Sequence, residues 1–266
     1  MSGELKPRTG DIHARLWGAR AHDWANIQEQ HHRPVYVAVF DRVGLKTGAA
    51  YLDVGCGSGL ALQIAAGRGV QPYGLDAAPN LLEVARRRVP GGEFRVGDLE
   101  NLPYTDGKFD LVTGFNAFQF AGNPGVALRE AKRVAKPGTH VVIVTWGKPE
   151  GMEAASLLTV LRPLLPPSPP GTPGPFALSD EVELRAFARD ADLEPTEVFD
   201  VEFPWRYPDL PTALRGLGSS GQAVRAIENS GEDAVNNAHA QAVAPFRQAD
   251  GSYSIGATFR CLLSRA

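Results

Sequence analysis

Apolar positions recur at helical spacing through residues 11–45, from Ile12, Leu16 and Trp17 to Val39 and Val43. Pro34 predicts a break of this stretch into two helices, because proline removes a backbone donor and clashes with the preceding turn. A regular alternation follows. Strand patterns fall at 49–54, 72–75, 93–96, 109–115 and 140–146, and helical patterns at 60–68, 80–88 and 125–135. The fifth strand, His140–Trp146, is a nearly continuous apolar run, as expected where both faces are buried. This alternation predicts βαβ units with right-handed crossovers and a parallel sheet covered on both sides.

The pattern changes after residue 147. Pro163–Pro175 reads PLLPPSPPGTPGP, which no regular helix or central strand accommodates, and is expected as an extended surface linker rather than a lid over a site. A helix is expected from Ser179, as N-cap, to Arg189, and a strand over 196–205. Residues 208–249 are Ala-rich and mostly helical, with breaks at 216–221 and 230–231, and a strand over 253–263 closes the chain. Two long strands joined through a helical insertion predict an antiparallel pair at the end of the sheet, with the insertion placed as a cap.

Composition narrows the functional classes. With 266 residues, 43% hydrophobic and 21% charged, the chain reads as one large globular domain. A net charge of −3 gives no electrostatic case for nucleic acid. Cys56 and Cys261 stand far apart with no metal-ligand spacing, so neither a disulfide scaffold nor a metal site is expected, and a reducing cytoplasmic setting suits them. The N-terminal stretch lacks the apolar region of a secretory signal, and no apolar run has the length to span a bilayer.

The chemistry concentrates in Tyr51–Leu60, YLDVGCGSGL. A strand ends at Asp53-Val54, Gly55, Gly57 and Gly59 follow, and a helix begins near Leu60. Glycine lets the backbone turn sharply and approach a ligand, and the free N–H groups of a helix start favour an anionic moiety. Asp76 ends the second strand 21 residues beyond Gly55, where a carboxylate is placed to accept from two ribose hydroxyls. A nucleoside-containing ligand follows from this arrangement. The spacing is GxGxG, not the GxGxxG of dinucleotide sites; the third position of that fingerprint is Leu60.

LDVGCGSG resembles the first motif of class I S-adenosylmethionine (SAM)-dependent methyltransferases of the small-molecule type. GLDAAPNLLEVARRR (74–88) is similar to that family's second strand and following helix. FRVGDLENLPYTDGKFDLVTGFNAFQF (94–120) is similar to its third and fourth strands, and REAKRVAKPGTHVVIVTW (129–146) to its fifth-strand region. The resemblance covers residues 45–147 and implies SAM as cofactor, with S-adenosylhomocysteine as product. It implies that Gly55, Gly57 and Gly59 line the methionine and ribose portion, that Asp53 places the amino group, and that Asp76 binds the ribose with Ala77 on the adenine side. It further implies that Asp98 and Leu99 receive the adenine and that Asn116 faces the reaction site. Cys56 joins the cofactor-binding positions as a small residue packed beside the loop. Asp53 as a turn residue, Asp76 as a helix cap and Asp98 in a solvated loop are the plainer readings of the same residues.

The expected fold class is α/β, a Rossmann-like, mostly parallel seven-stranded sheet with helices on both faces, an antiparallel strand near the C-terminus and a helical cap insertion. Within a single domain, 1–45 form an N-terminal helical lid, 46–147 the SAM-binding core, 148–205 a linker, helix and strand, 206–250 the cap insertion and 251–266 the final strand. The expected reaction is direct in-line transfer of methyl to an O, N or C atom of a small-molecule acceptor, with no metal and no covalent enzyme intermediate. The acceptor site is expected at the carboxyl ends of the strands, walled by the N-terminal helices, the segment after Asn116 and the 206–249 insertion. Tyr36 and Trp17 are candidates for its wall. His31 or His32, with His239 as a further candidate, would serve as the base if one is needed, against the plain reading of solvated histidines. Two alternatives stand beside this reading: a nicotinamide-dependent oxidoreductase and a SAM-binding module without transfer activity. A homodimer is compatible with the sequence, which leaves oligomeric state open.

Overall fold

A computed structural model of the chain describes residues 9–167 and 174–266. The N-terminal segment is more broken than the two expected helices. Helix α1 (Thr9–Gly18) is followed by α2 (Ala21–Asp23), a π turn (Trp24–Gln28), a 3-10 turn (Glu29–His32) and α3 (Arg33–Arg42). Pro34 lies in the first turn of α3 and starts that helix. The missing proline N–H would be unpaired at that position anyway.

The alternating region then appears as expected, with β1 (Ala50–Val54), α4 (Leu60–Ala66), β2 (Gln71–Asp76), α5 (Pro79–Arg88), β3 (Glu93–Val96), β4 (Phe109–Phe115), α6 (Pro124–Val134) and β5 (Ala135–Trp146). Short α7 (Ala155–Thr159) and a 3-10 turn (Arg162–Leu164) lead into the proline-rich stretch, whose residues 168–173 lie outside the described residues. Next come α8 (Glu181–Arg189), β6 (Glu194–Tyr207), α9 (Leu210–Leu217), α10 (Gly221–Ser230), α11 (Glu232–Val243) and β7 (Tyr253–Arg265). The cap of α8 is Asp180 rather than Ser179: its carboxylate accepts from Val182 N at 2.8 Å, while Ser179 is buried and its hydroxyl has no hydrogen-bond partner.

The seven strands form one sheet in the order β3-β2-β1-β4-β5-β7-β6. Only β7 runs against its neighbours, pairing antiparallel with both β5 and β6, which confirms the expected C-terminal pair. Two apolar clusters cover opposite faces: Phe40, Leu62, Leu82 and Val142 belong to one, and Leu52, Val112, Leu128 and Leu184 to the other. Strand order reverses between β1 and β4, so their carboxyl ends open a crevice where open α/β sheets bind ligands.

The insertion α9–α11 packs against the N-terminal helices. A Cβ on Gly216 would lie 2.7 Å from Ile27 Cγ2, and one on Gly221 2.6 Å from the Trp17 indole nitrogen. Ion pairs Arg20–Glu232 at 2.7 Å, Arg215–Asp23 at 2.5 Å and Arg15–Glu228 join the same two layers. These pairs are exposed and individually worth little, so close packing carries the association.

Candidate active site

The crevice between β1 and β4 opens into a cavity bordered by the strand ends below and the N-terminal helices above. Its floor is the glycine loop. Gly55 has φ +71°, and a Cβ there would stand 2.7 Å from the Ala117 side chain after β4. Only glycine therefore lets the loop pass beneath that segment. Backbone N–H groups of Gly55 and Cys56 both donate to Leu75 O, tying the loop to the end of β2.

Asp76 fixes the next turn of the loop. Its two carboxylate oxygens accept from Gly57 N and from Ala78 N, each at 2.8 Å. The helix-cap and ligand readings are thus compatible, because each oxygen keeps a second lone pair for a ligand hydroxyl. Burial pushes Asp76 up from the usual carboxylate range, and the backbone donors pull it back.

Asp53 sits on β1 directly across from Thr113 of β4, and accepts from Thr113 Oγ1 at 2.6 Å. Thr113 in turn shares a hydrogen bond with the Tyr51 hydroxyl. Asp53 is only 2% exposed, and no Lys or Arg pairs with it among the described residues. Desolvation pushes it up to about 8, with Thr113 opposing and Glu29 and Asp76 reinforcing the shift. A buried carboxylate without a counter-charge is well matched to a ligand ammonium.

The walls come from elements remote in sequence. Asp98 and Leu99 after β3, Phe115 at the end of β4 with Asn116 and Ala117 following it, and Ala77 after β2 all border the cavity. Asn116 holds φ +54°, a left-handed conformation that asparagine tolerates, and its side chain accepts from Gln119. From the N-terminal helices come His13, Trp17, Trp24, Glu29, His32 and Tyr36. Trp17 and Trp24 meet edge to face at 4.8 Å between ring centres, and Phe120 closes against Trp17 at 5.7 Å.

Most of the sequence-expected residues thus converge: Asp53, Gly55, Cys56, Gly57, Asp76, Ala77, Asp98, Leu99, Asn116 and His32 line one cavity, with Tyr36 and Trp17 in its wall. Four expectations need correction. Gly59 does not border the cavity; with φ +80° it faces α5, where a Cβ would lie 2.8 Å from Ala85 Cβ. His31 lies outside the cavity, bonded to Arg206 O at 2.9 Å and packed on Trp205 and Tyr207. His239 is buried in α11, away from the cavity. The 206–249 insertion contributes no wall residue; it backs the N-terminal helices instead.

His32 is 6% exposed, and its Nε2 has no protein partner. Burial, and secondarily His31, lower it to about 3, so it stays neutral at physiological pH. Such an imidazole can orient a hydroxyl but holds a proton poorly.

Glu29 was not expected from the sequence. It is 2% exposed, bonded to Ser58 of the glycine loop and to Arg88 of α5. Arg88 also donates to Ser58 O at 3.0 Å, so this network pins the N-terminal segment onto the loop. Only the EQ preceding the histidines marked it in the sequence, and a polar pair in a helix is ordinarily solvated.

The donor set fits SAM. Asp53 would take its ammonium, Asp76 the ribose hydroxyls, and Asp98 with Leu99 the adenine edge. Among the described residues no group of three or more His, Cys, Asp or Glu could hold a metal ion, and no helix is long and apolar enough to cross a membrane.

A family profile described as "Methyltransferase domain" matches residues 52–143. The chain is 31% identical over 225 residues to the ubiquinone biosynthesis O-methyltransferase of Xanthomonas oryzae, a match covering 77% of this chain and 92% of that protein. It is 36% identical over 111 residues to the demethylmenaquinone methyltransferase of Renibacterium salmoninarum, covering 42% of this chain but only 47% of that relative, about half its length. Among solved structures, the [4+2]-cyclase SpnF superposes with a TM-score of 0.61 at 20% identity, over 98% of this chain and 97% of that one; this likeness concerns the fold alone. The chain belongs to the class I SAM-dependent methyltransferase family.

Proposed function

We propose that the protein transfers a methyl group from SAM to an O, N or C atom of a small-molecule acceptor. The observation that carries this reading is the convergence of Asp53, Asp76 and Asp98, from three separate strand ends, on the cavity floored by Gly55 and Gly57. When bound, SAM supplies a methyl group activated by its sulfonium, transferred in line as an acceptor lone pair forms the new bond and the C–S bonding pair returns to sulfur. The protein's contribution is positioning, which in favourable cases is worth roughly 7–11 kcal/mol of barrier. Asp53 and Asp76 fix the two ends of the cofactor, while Trp17, Trp24 and Phe120 exclude water. His32 orients the acceptor, whose proton passes to solvent. His31 and His239, outside the cavity, take no part. A cytoplasmic enzyme that binds no nucleic acid completes the reading.

The test is a calorimetric titration of S-adenosylhomocysteine into the folded protein, with NAD(H) as the comparison. Saturable binding of the first alone is expected. Binding of neither ligand would sink the reading, and preference for NAD(H) would replace it with the oxidoreductase.

A pH dependence follows from Asp53. The free protein carries it mostly protonated below pH 8. A ligand ammonium needs it ionised, so binding expels a proton, and affinity falls as pH falls. Affinity for S-adenosylhomocysteine should rise about tenfold from pH 6 to pH 7, since one pKa unit corresponds to 1.36 kcal/mol. A flat profile measured across that interval, or no proton release between buffers of different ionisation enthalpy, would remove Asp53 from the ammonium site.

A further inference from the structure

The two turns that carry Trp24 and His32, residues 24–32, are held from two sides. Toward β6, Gln28 Oε1 accepts from the Tyr207 hydroxyl at 2.7 Å, and His31 bonds Arg206 O at 2.9 Å. Toward the glycine loop the link is Glu29, whose Oε2 accepts from the Ser58 hydroxyl and from Arg88. Arg88, the last residue of α5, closes the circuit. It donates to Ser58 Oγ at 2.9 Å, to Ser58 O at 3.0 Å and to Ala25 O at 2.5 Å. One guanidinium thus bonds the loop, the π turn and Glu29 together.

The position of this network connects it to the cofactor reading above. Ser58 is fully buried and stands between Gly57 and Gly59, both of which hold positive φ. Glu29 borders the cavity, and a Cβ on Gly57 would lie 3.4 Å from its Oε1 and 3.5 Å from the Trp24 indole nitrogen. The carboxylate therefore rests on the backbone that floors the cavity, within the same two turns as the wall residues Trp24 and His32. Removing Glu29 leaves the Ser58 hydroxyl and the Arg88 charge without their acceptor in a buried place, which is costly unless water enters. Gln28 and His31 still hold the turns on β6, so the side facing the loop is the one that opens. A ligand then binds only the fraction of molecules whose turns are seated, and its apparent affinity falls by that fraction.

We propose that Glu29 is a positioning residue for the cofactor: through Ser58 and Arg88 it seats residues 24–32 on the glycine loop, and the wall so completed retains the bound cofactor. The proposal rests on the SAM reading.

The experiment measures S-adenosylhomocysteine binding by calorimetry, and amide hydrogen exchange over residues 21–33, on the full chain and its variants. Wild type should gain protection in that segment when the ligand binds. Glu29→Ala should bind at least about tenfold more weakly, as when about a tenth of the molecules have seated turns, and should gain little protection. Glu29→Gln keeps an oxygen for Ser58 and Arg88 and should recover part of the affinity, a rescue that loss of bulk stability alone does not predict. Adding Ser58→Ala to Glu29→Ala should weaken binding no further, since both remove one link. Folded Glu29→Ala with a lowered Tm but wild-type affinity overturns the proposal, as does full additivity of the two substitutions. Should Glu29→Ala fail to fold, Ser58→Ala alone decides: weaker binding supports the link, and wild-type affinity overturns it. No binding to the wild type defeats the cofactor assignment, whereas wild-type binding with unaffected variants defeats the role of Glu29 alone.

Discussion

Asp76→Ala is expected to lower affinity for S-adenosylhomocysteine by at least about 100-fold. Hydrogen bonds to a charged group are worth roughly 1.5–3 kcal/mol each, and the proposed site gives Asp76 two from the ribose. A loss of about 2.8 kcal/mol already corresponds to 100-fold in the dissociation constant. The substitution also frees Gly57 N and Ala78 N, which Asp76 now holds at 2.8 Å, so the loop loses its anchor as well as its ligand. Asp76→Asn retains one oxygen acceptor and should fall between wild type and alanine. Calorimetry on all three, with circular dichroism to confirm folding, decides the matter. Unchanged affinity in folded Asp76→Ala would show that the carboxylate is only a helix cap.

Gly59→Ala is expected to act on stability rather than on the ligand. A left-handed φ of +80° costs an L-residue about 1–2 kcal/mol, and a Cβ placed 2.8 Å from Ala85 Cβ and 3.1 Å from its Cα overpacks two helices. A loss of about 3 kcal/mol is anticipated, roughly 6–12 °C in Tm for a domain of this size. Gly138→Ala is the control: its φ is +75°, but nothing lies within 4 Å of the added methyl. It should cost only the backbone part, about 1–2 kcal/mol. Equal losses in the two variants, measured by thermal unfolding, would mean that contact with Ala85 contributes nothing.

Tyr51–Leu60 was legible because its information is local. A glycine that must adopt positive φ, an acid at a strand end and a helix start lie within ten residues and need no distant partner to be read. Asp76 and Asp98 were legible for a related reason: successive strands of a parallel sheet deliver their ends to the same side. The antiparallel C-terminal pair followed from two long strands separated by a helical insertion.

The N-terminal segment was not legible in the same way. His31 and His32 are neighbours in sequence, yet about 100° of rotation separates them on a helix, and only packing chose which faces the cavity. The π turn at Trp24–Gln28 shifts that phase further, so helical periodicity could not assign it. Glu29 acquires its role only because α5 brings Arg88 beside the loop. Gly59 looked like a ligand glycine by spacing, but α5 packs on it, and the insertion looked like a cap over the site but backs the helices instead. The sequence by itself determined the order of strands and helices, the loop and the acids at the strand ends, because backbone sterics and strand topology act over short stretches. The tertiary structure alone decided which residues of the covering helices enclose the cavity and that, among the described residues, no Lys or Arg lines it. Both depend on contacts between segments some 200 residues apart, such as Arg15 with Glu228.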